Sequence, residues 1–190
     1  RERLRERIAR LLRGASPVDI ALTSGTSAGI LDIAMCHPWS PGDGVVLFEG
    51  EFPANTTPWL QAAQLYGLRP EWIPLTGFAD SSGAGLAAVE GALQRGARLV
   101  AVSAVQFQTG LRMPIGELGR LCAQHGAALF VDAIQACGVV PLDITHVDYL
   151  ASGSHKWMMG LEGAGFLYVA PERVDALRPH LTSWLSHEDG

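Results

Sequence analysis

Asp132 and Lys156 are residues of this chain whose types and setting could do chemistry together. Asp132 follows an apolar run, Ala127 to Val131, and Lys156 follows a second, Val147 to Ala151, after a turn of small residues. Both runs have the length and character of buried strands. In a parallel sheet they would set a carboxylate and an amine at the carboxyl ends of two strands, the edge where open α/β sheets hold ligands. A lysine embedded between His155 and Trp157, in apolar surroundings, is a candidate Schiff-base nucleophile once it sheds its proton. An aspartate nearby can hold a pyridinium nitrogen in its protonated form, so that the ring withdraws electrons. Gly25-Thr26-Ser27 has the make-up of a phosphate cradle: glycine permits close backbone approach, a helix N-terminus offers N–H groups and the hydroxyls add donors. Each feature also has a plain structural alternative. Lys156 could snorkel from a strand end, Asp132 could cap a turn, and the Ser/Thr pair could be an ordinary helix N-cap.

The elements that must position these residues follow from hydrophobic spacing. Arg1 to Arg13 has helical spacing of Leu4, Ile8, Leu11 and Leu12, and Gly14 ends it. Val18 to Thr23 reads as a strand that leads through Thr23-Ser-Gly-Thr-Ser into a helix carrying Ile30, Leu31, Ile33, Ala34 and Met35. Further strands are expected at Val45 to Phe48, Arg69 to Pro74, Arg98 to Ser103 and Gly165 to Val169. Helices are expected at Trp59 to Tyr66, around Leu86, Val89 and Leu93, at Ile115 to His125, and at Pro171 to Leu177 with proline at its start. Glu49 to Pro58, Thr76 to Gly85 and Gln106 to Met113 read as loops. Helices alternating with short apolar strands predict an α/β, three-layer fold with a mostly parallel sheet.

Composition narrows the class of function. In 190 residues, 48% hydrophobic content, 17% charged residues and 22 glycines suit a well-buried core with tight loops. A net charge of −5 offers no basic field for nucleic acid, and no apolar run approaches the ~20 residues that cross a bilayer. Cys36, Cys122 and Cys137 form no CxxC pair, and His37, His125, His146, His180 and His187 share no metal-ligand spacing. The cysteines read as small core residues. The expectation is a cytoplasmic protein with no metal, no nucleic-acid partner and no membrane partner.

Asp132-Ala-Ile-Gln135 followed by Ser154-His155-Lys156-Trp157 resembles the core signature of the class V aminotransferase family, the large domain of fold-type I pyridoxal-phosphate enzymes. That family includes cysteine desulfurases, kynureninase and isopenicillin N epimerase-like enzymes. The similarity extends from Thr23-Ser-Gly-Thr-Ser-Ala-Gly29 to Gly163-Ala-Gly-Phe-Leu-Tyr168. The resemblance implies pyridoxal 5'-phosphate as cofactor, bound covalently through Lys156, with Asp132 pairing with the ring nitrogen and Gln135 with the phenolic oxygen. It implies Gly25, Thr26, Ser27 and His155 around the phosphate. Desulfurases usually carry serine three residues before the lysine; Gly153 stands there, and Ser152 or Ser154 is the expected replacement.

Phe52, in Glu51-Phe-Pro-Ala-Asn55, resembles the position at which desulfurases stack a histidine on the cofactor ring. Phenylalanine can stack but moves no protons, and a core aromatic is its alternative reading. Gln106 resembles part of a loop that approaches the cofactor. The resemblance further implies a homodimer acting on an amino acid and a keto acid. Two other expectations stay open: a cysteine desulfurase or selenocysteine lyase on the same scaffold, and a non-catalytic partner domain that keeps the fold. Residues 1–190 are read as most of the cofactor-binding large domain. The C-terminal small domain, with the arginine that would take the substrate carboxylate, is expected beyond Ser183-Trp184-Leu185-Ser186.

Overall fold

Continuous apolar runs become strands here because helices cover both of their faces. In the computed structural model, which describes residues 1–80 and 83–181, the strands are β1 (Ile20–Thr23), β2 (Gly44–Phe48), β3 (Arg69–Ile73), β4 (Ala97–Ser103), β5 (Ala128–Asp132), β6 (Tyr149–Gly153) and β7 (Gly165–Val169). The helices are α1 (Glu2–Leu12), α2 (Thr26–Cys36), α3 (Thr57–Tyr66), α4 (Ala84–Gln94), α5 (Ile115–Gln124) and the single turn α6 (Pro171–Val174). The segment Ser183–Ser186 and His187 lie outside the described residues. Every residue of β2, β5 and β6 is buried, which is the pattern of a sheet covered on both sides.

The seven strands form one sheet in the order β1-β7-β6-β5-β4-β2-β3. Neighbours are parallel except along β7, which runs antiparallel to both β1 and β6. Side chains alternate between two cores with the period of two that a pleat imposes. Val46, Val100, Leu129, Val131 and Leu150 pack with α1, α4 and α5. Val45, Leu99, Ala101, Phe130 and Ala151 pack with α2 and α3. The edge strand β3 is half-exposed and carries Pro70, where the missing N–H costs no ladder bond.

Several boundaries differ from the sequence expectation for local reasons. Residues Pro17–Asp19 form a 3-10 turn, held by Ser16 N–H donating to Asp19 Oδ2 at 2.7 Å, so β1 starts at Ile20. Strand β6 begins at Tyr149 and continues through Ser152 and Gly153. Helix α6 ends at Val174, three residues short of the expected Leu177.

Close backbone contact joins the β1–α2 turn to the sheet. A methyl group at Gly165 would lie 2.7 Å from Gly25 Cα and 2.7 Å from the Ser152 carbonyl oxygen. Neither neighbour is the free end of a side chain. Gly165→Ala should therefore cost ~1–3 kcal/mol, the scale of overpacking in a filled core, and lower the thermal midpoint by about 2–4 °C per kcal/mol. Thermal denaturation measures this, and an unchanged midpoint would show that the contact gives way freely.

Candidate active site at the carboxyl edge of the sheet

The carboxyl ends of β1, β4, β5 and β6 and the loop after β2 converge on a cleft of about 280 Å³. Eight of the ten candidate residues line it: Gly25, Thr26, Ser27, Phe52, Asp132, Gln135, His155 and Lys156. On one wall, Thr23 Oγ1 donates to the Gly25 carbonyl at 3.0 Å, and Gly25 takes φ 156°, ψ −178°, before α2 begins. The first N–H groups of a helix have no intrahelical acceptor, so those of Thr26 to Ala28 are free for an anion. Thr26 is also tied to the lysine loop: Gly153 N–H donates to Thr26 Oγ1 at 2.7 Å. A side chain at 153 would press on that oxygen and on the His155 ring, both 3.2 Å from where its Cβ would stand. Glycine at 153 thus makes room for Thr26.

Neither serine beside Gly153 reaches the cleft. Ser152 is fully buried and donates to the Gly153 carbonyl at 3.1 Å. Ser154, expected at the phosphate, instead donates to the Leu161 carbonyl at 2.6 Å and closes the loop behind Lys156. That loop is braced further by Met159 N–H to the Lys156 carbonyl at 2.9 Å and Gly160 N–H to the Ser154 carbonyl at 2.8 Å. Gln106 also departs from its expected place. It is 2% exposed and donates to Glu51 Oε1 at 2.8 Å, so its amide faces the interior and not the cleft.

Lys156 is half-buried, with Nζ 5.7 Å from the centroid of the Phe52 ring. Phe52 meets Phe107 edge to face at 5.3 Å, and the two rings form an apolar lip. Gln135, in the turn after β5, accepts a hydrogen bond from Trp157 Nε1 at 2.9 Å. Asp132 is 3% exposed, and its Oδ1 accepts the Ile134 N–H at 2.9 Å. Burial pushes its pKa up to about 7; the Ile134 hydrogen bond opposes this, Glu51 adds to it and Lys156 opposes it. A buried carboxylate of this kind lacks a sufficient cation, and a protonated ring nitrogen would supply one.

Sequence reasoning missed Glu51 and Phe107. Glu51 is buried, and its carboxylate accepts Ser103 N–H at 2.7 Å, Ser103 Oγ–H at 2.5 Å and Gln106 Nε2–H. The available signal was a lone glutamate beside Phe52, in a turn just after an apolar strand.

The aminotransferase class V family model matches residues 1–183. The chain belongs to the class V aminotransferase family. This class V chain is 34% identical over 175 residues to a probable cysteine desulfurase of Pyrococcus abyssi, covering 90% of this chain and 43% of that protein. It is 31% identical to isopenicillin N epimerase of Streptomyces clavuligerus, covering 95% of this chain and 46% of the epimerase. Among solved structures, it superimposes with a TM-score of 0.88 and 26% identity on a mutant of the cystine C–S lyase C-DES with glycine covalently linked to the PLP cofactor, covering 96% of this chain and 49% of that one. The chain spans less than half the length of these relatives. No helix among the described residues is long and apolar enough to cross a membrane.

Proposed function

We propose that the protein is a pyridoxal-phosphate-dependent enzyme acting on amino acids, with this chain as most of its cofactor-binding large domain. The observation that carries the reading is the meeting, in one cleft, of the Lys156 amine, the buried Asp132 carboxylate and the N-terminus of α2. The cleft's chemistry fits the group: an anion site of glycine, hydroxyls and helix N–H groups, an amine for an aldehyde, and a buried anion for a ring cation. Bound there, pyridoxal phosphate supplies an electron sink for negative charge developing at the α-carbon of an amino acid.

The residues divide the remaining work. Gly25, Thr26, Ser27 and His155 would hold the phosphate, Gln135 the phenolic oxygen and Lys156 the aldehyde carbon. Asp132 keeps the ring nitrogen charged. Phe52 and Phe107 exclude water from one side of the cleft. The Lys156 amine, which lines the cleft, would take and return the α-proton of a bound amino acid. A homodimer is part of the proposal, supported by the apolar loop beside the cleft, where Trp157, Met159 and Leu161 are 53%, 91% and 80% exposed. Three free cysteines support a reducing, cytoplasmic setting.

Within the family, we infer transamination or epimerisation in preference to desulfuration of cysteine. The support is Phe52, whose ring contributes apolar area where an imidazole would contribute a proton. General acid–base help is worth ~10²–10⁴-fold in rate, so without it sulfur release should be slow. A second reading, cysteine desulfurase, is favoured by what the Pyrococcus relative is called. The intact enzyme should be given cysteine and, separately, a panel of amino acids with keto acids. Amino transfer or inversion should outpace sulfide release, and rapid persulfide formation exceeding every other turnover would overturn the inference.

A further inference from the structure

The carboxylate of Glu51 is unusual for the company it keeps. It belongs to the loop after β2, is 8% exposed, and gathers its donors from the end of β4 and the segment beyond it. Ser103, which supplies two of those donors, is the register partner of Asp132 across the β4–β5 pair. The chain of contacts therefore runs from Asp132 to Ser103 to Glu51. Both oxygens of Glu51 are occupied by donors, so it needs no further ligand of its own.

We propose that Glu51 is a positioning residue for the ring-nitrogen site: its locked carboxylate stands behind Asp132 as a second negative charge and holds the cofactor's ring nitrogen in the charged form. This rests on the pyridoxal-phosphate reading above. The charged groups facing Asp132 are few. Glu51 comes from the loop after β2 and Lys156 from the loop after β6; the Cys137 thiol, in the turn after β5, is pushed up to about 11 by burial and stays neutral. Asp132 in the cleft wall and Glu51 behind it set two acidic groups against the Lys156 amine, and Glu162 also lines the cleft beside His155, so a cationic ring would meet negative charge there. The Ser103 and Gln106 donors keep Glu51 from swinging out to water, where its field would be screened. A carboxylate placed only to tie the two loops together would serve equally well as an amide.

The test compares two compounds, pyridoxal phosphate and its analogue in which C–H replaces the ring nitrogen. Their affinities for the intact protein are measured by equilibrium dialysis, with borohydride trapping to confirm that both bond to Lys156. Glu51→Gln keeps the shape and one acceptor oxygen for Ser103 N–H and Gln106, turns an amide N–H toward the Ser103 hydroxyl, which can rotate to accept it, and removes the charge. It should weaken pyridoxal phosphate on the order of tenfold, the scale of a unit charge ~10 Å away at an effective dielectric of about 20, and leave the analogue within about twofold. Ser103→Ala loses the hydroxyl donor but leaves the residue-103 N–H and Gln106 to hold Glu51 in place, so the charge stays and the ratio between the two compounds should be preserved; it also serves if Glu51→Gln does not fold. Equal losses for both compounds, no loss for either in Glu51→Gln, or a collapsed ratio in Ser103→Ala would each overturn the proposal. Wild-type protein that takes up neither compound would overturn the parent reading, and this one with it.

Discussion

Lys156→Ala should fold as the wild type does and lose covalent capture of pyridoxal phosphate. Lys156 is half-buried, and its ring contact is Phe52 at 5.7 Å, a distance at which a cation–π interaction at a partly exposed site is worth only about 0.5–1 kcal/mol. Thermal stability without cofactor should therefore change little. In the wild type, borohydride should fix the cofactor onto a peptide that contains Lys156, detected by mass spectrometry. The variant should show no fixed adduct and no absorption band from a covalent complex. Its turnover of amino acids should fall by at least ~10²–10⁴-fold, the contribution of a positioned proton carrier alone. Adduct on another lysine, or activity within a few-fold of wild type, would remove Lys156 from its role.

Asp132→Ala should show the opposite division: capture retained, chemistry lost. The aldehyde still meets Lys156, but the ring nitrogen loses its buried anion, and loss of one such electrostatic partner is worth ~10²–10³-fold in turnover. Near-normal turnover in this variant would rule out the electron-sink role. A related signature lies in the cofactor-free protein. The folded pKa of Asp132, about 7, lies above the ordinary 3.8, so the folded state binds this proton more tightly than the unfolded chain. Stability from this group is then greatest below pH 3.8 and falls as pH rises from 3.8 through about 7, levelling off above that. At roughly 1.4 kcal/mol per pKa unit, the fall amounts to a few kcal/mol. Asp132→Asn, which has no proton to lose, should flatten that part of the profile in urea titrations run between pH 4 and 8. An unchanged slope would show that Asp132 titrates normally.

The sheet and the edge that carries the cleft were legible in the sequence because Ala128–Asp132 and Tyr149–Gly153 are buried on both faces and so read as largely apolar runs. The end of β6 was not, because Ser152 and Gly153 look like a turn until Thr26 and Gly165 are seen packed against them. Residues whose role depends on a strand end were legible with it: Asp132, Lys156 and the Gly25 turn fall into one cleft. Residues whose direction is set by a distant partner were not. Gln106 is turned inward by Glu51, which is 55 positions away in sequence, and Ser154 is drawn to the Leu161 carbonyl. Period and composition carry no record of such pairings, and for the same reason Glu51 escaped notice.

The placement of β1 bears on the order in which the site can assemble. β1 lies at one edge of the sheet and pairs with β7, with Ile20 opposite Tyr168. Hairpins and neighbouring β–α units can form as the chain leaves the ribosome, but this pairing joins the first and the seventh strands among the described residues. Closing so long a loop is slow and must be repaid by late contacts. During synthesis the Gly25 turn therefore has no sheet edge to rest on until residue 169 has emerged. The half-built domain carries Asp132 and then Lys156 without an anion cradle, and its exposed β6 edge is open to pairing with another nascent chain. Competence to bind a phosphate would be acquired in a single late event, the docking of β7 and β1 together.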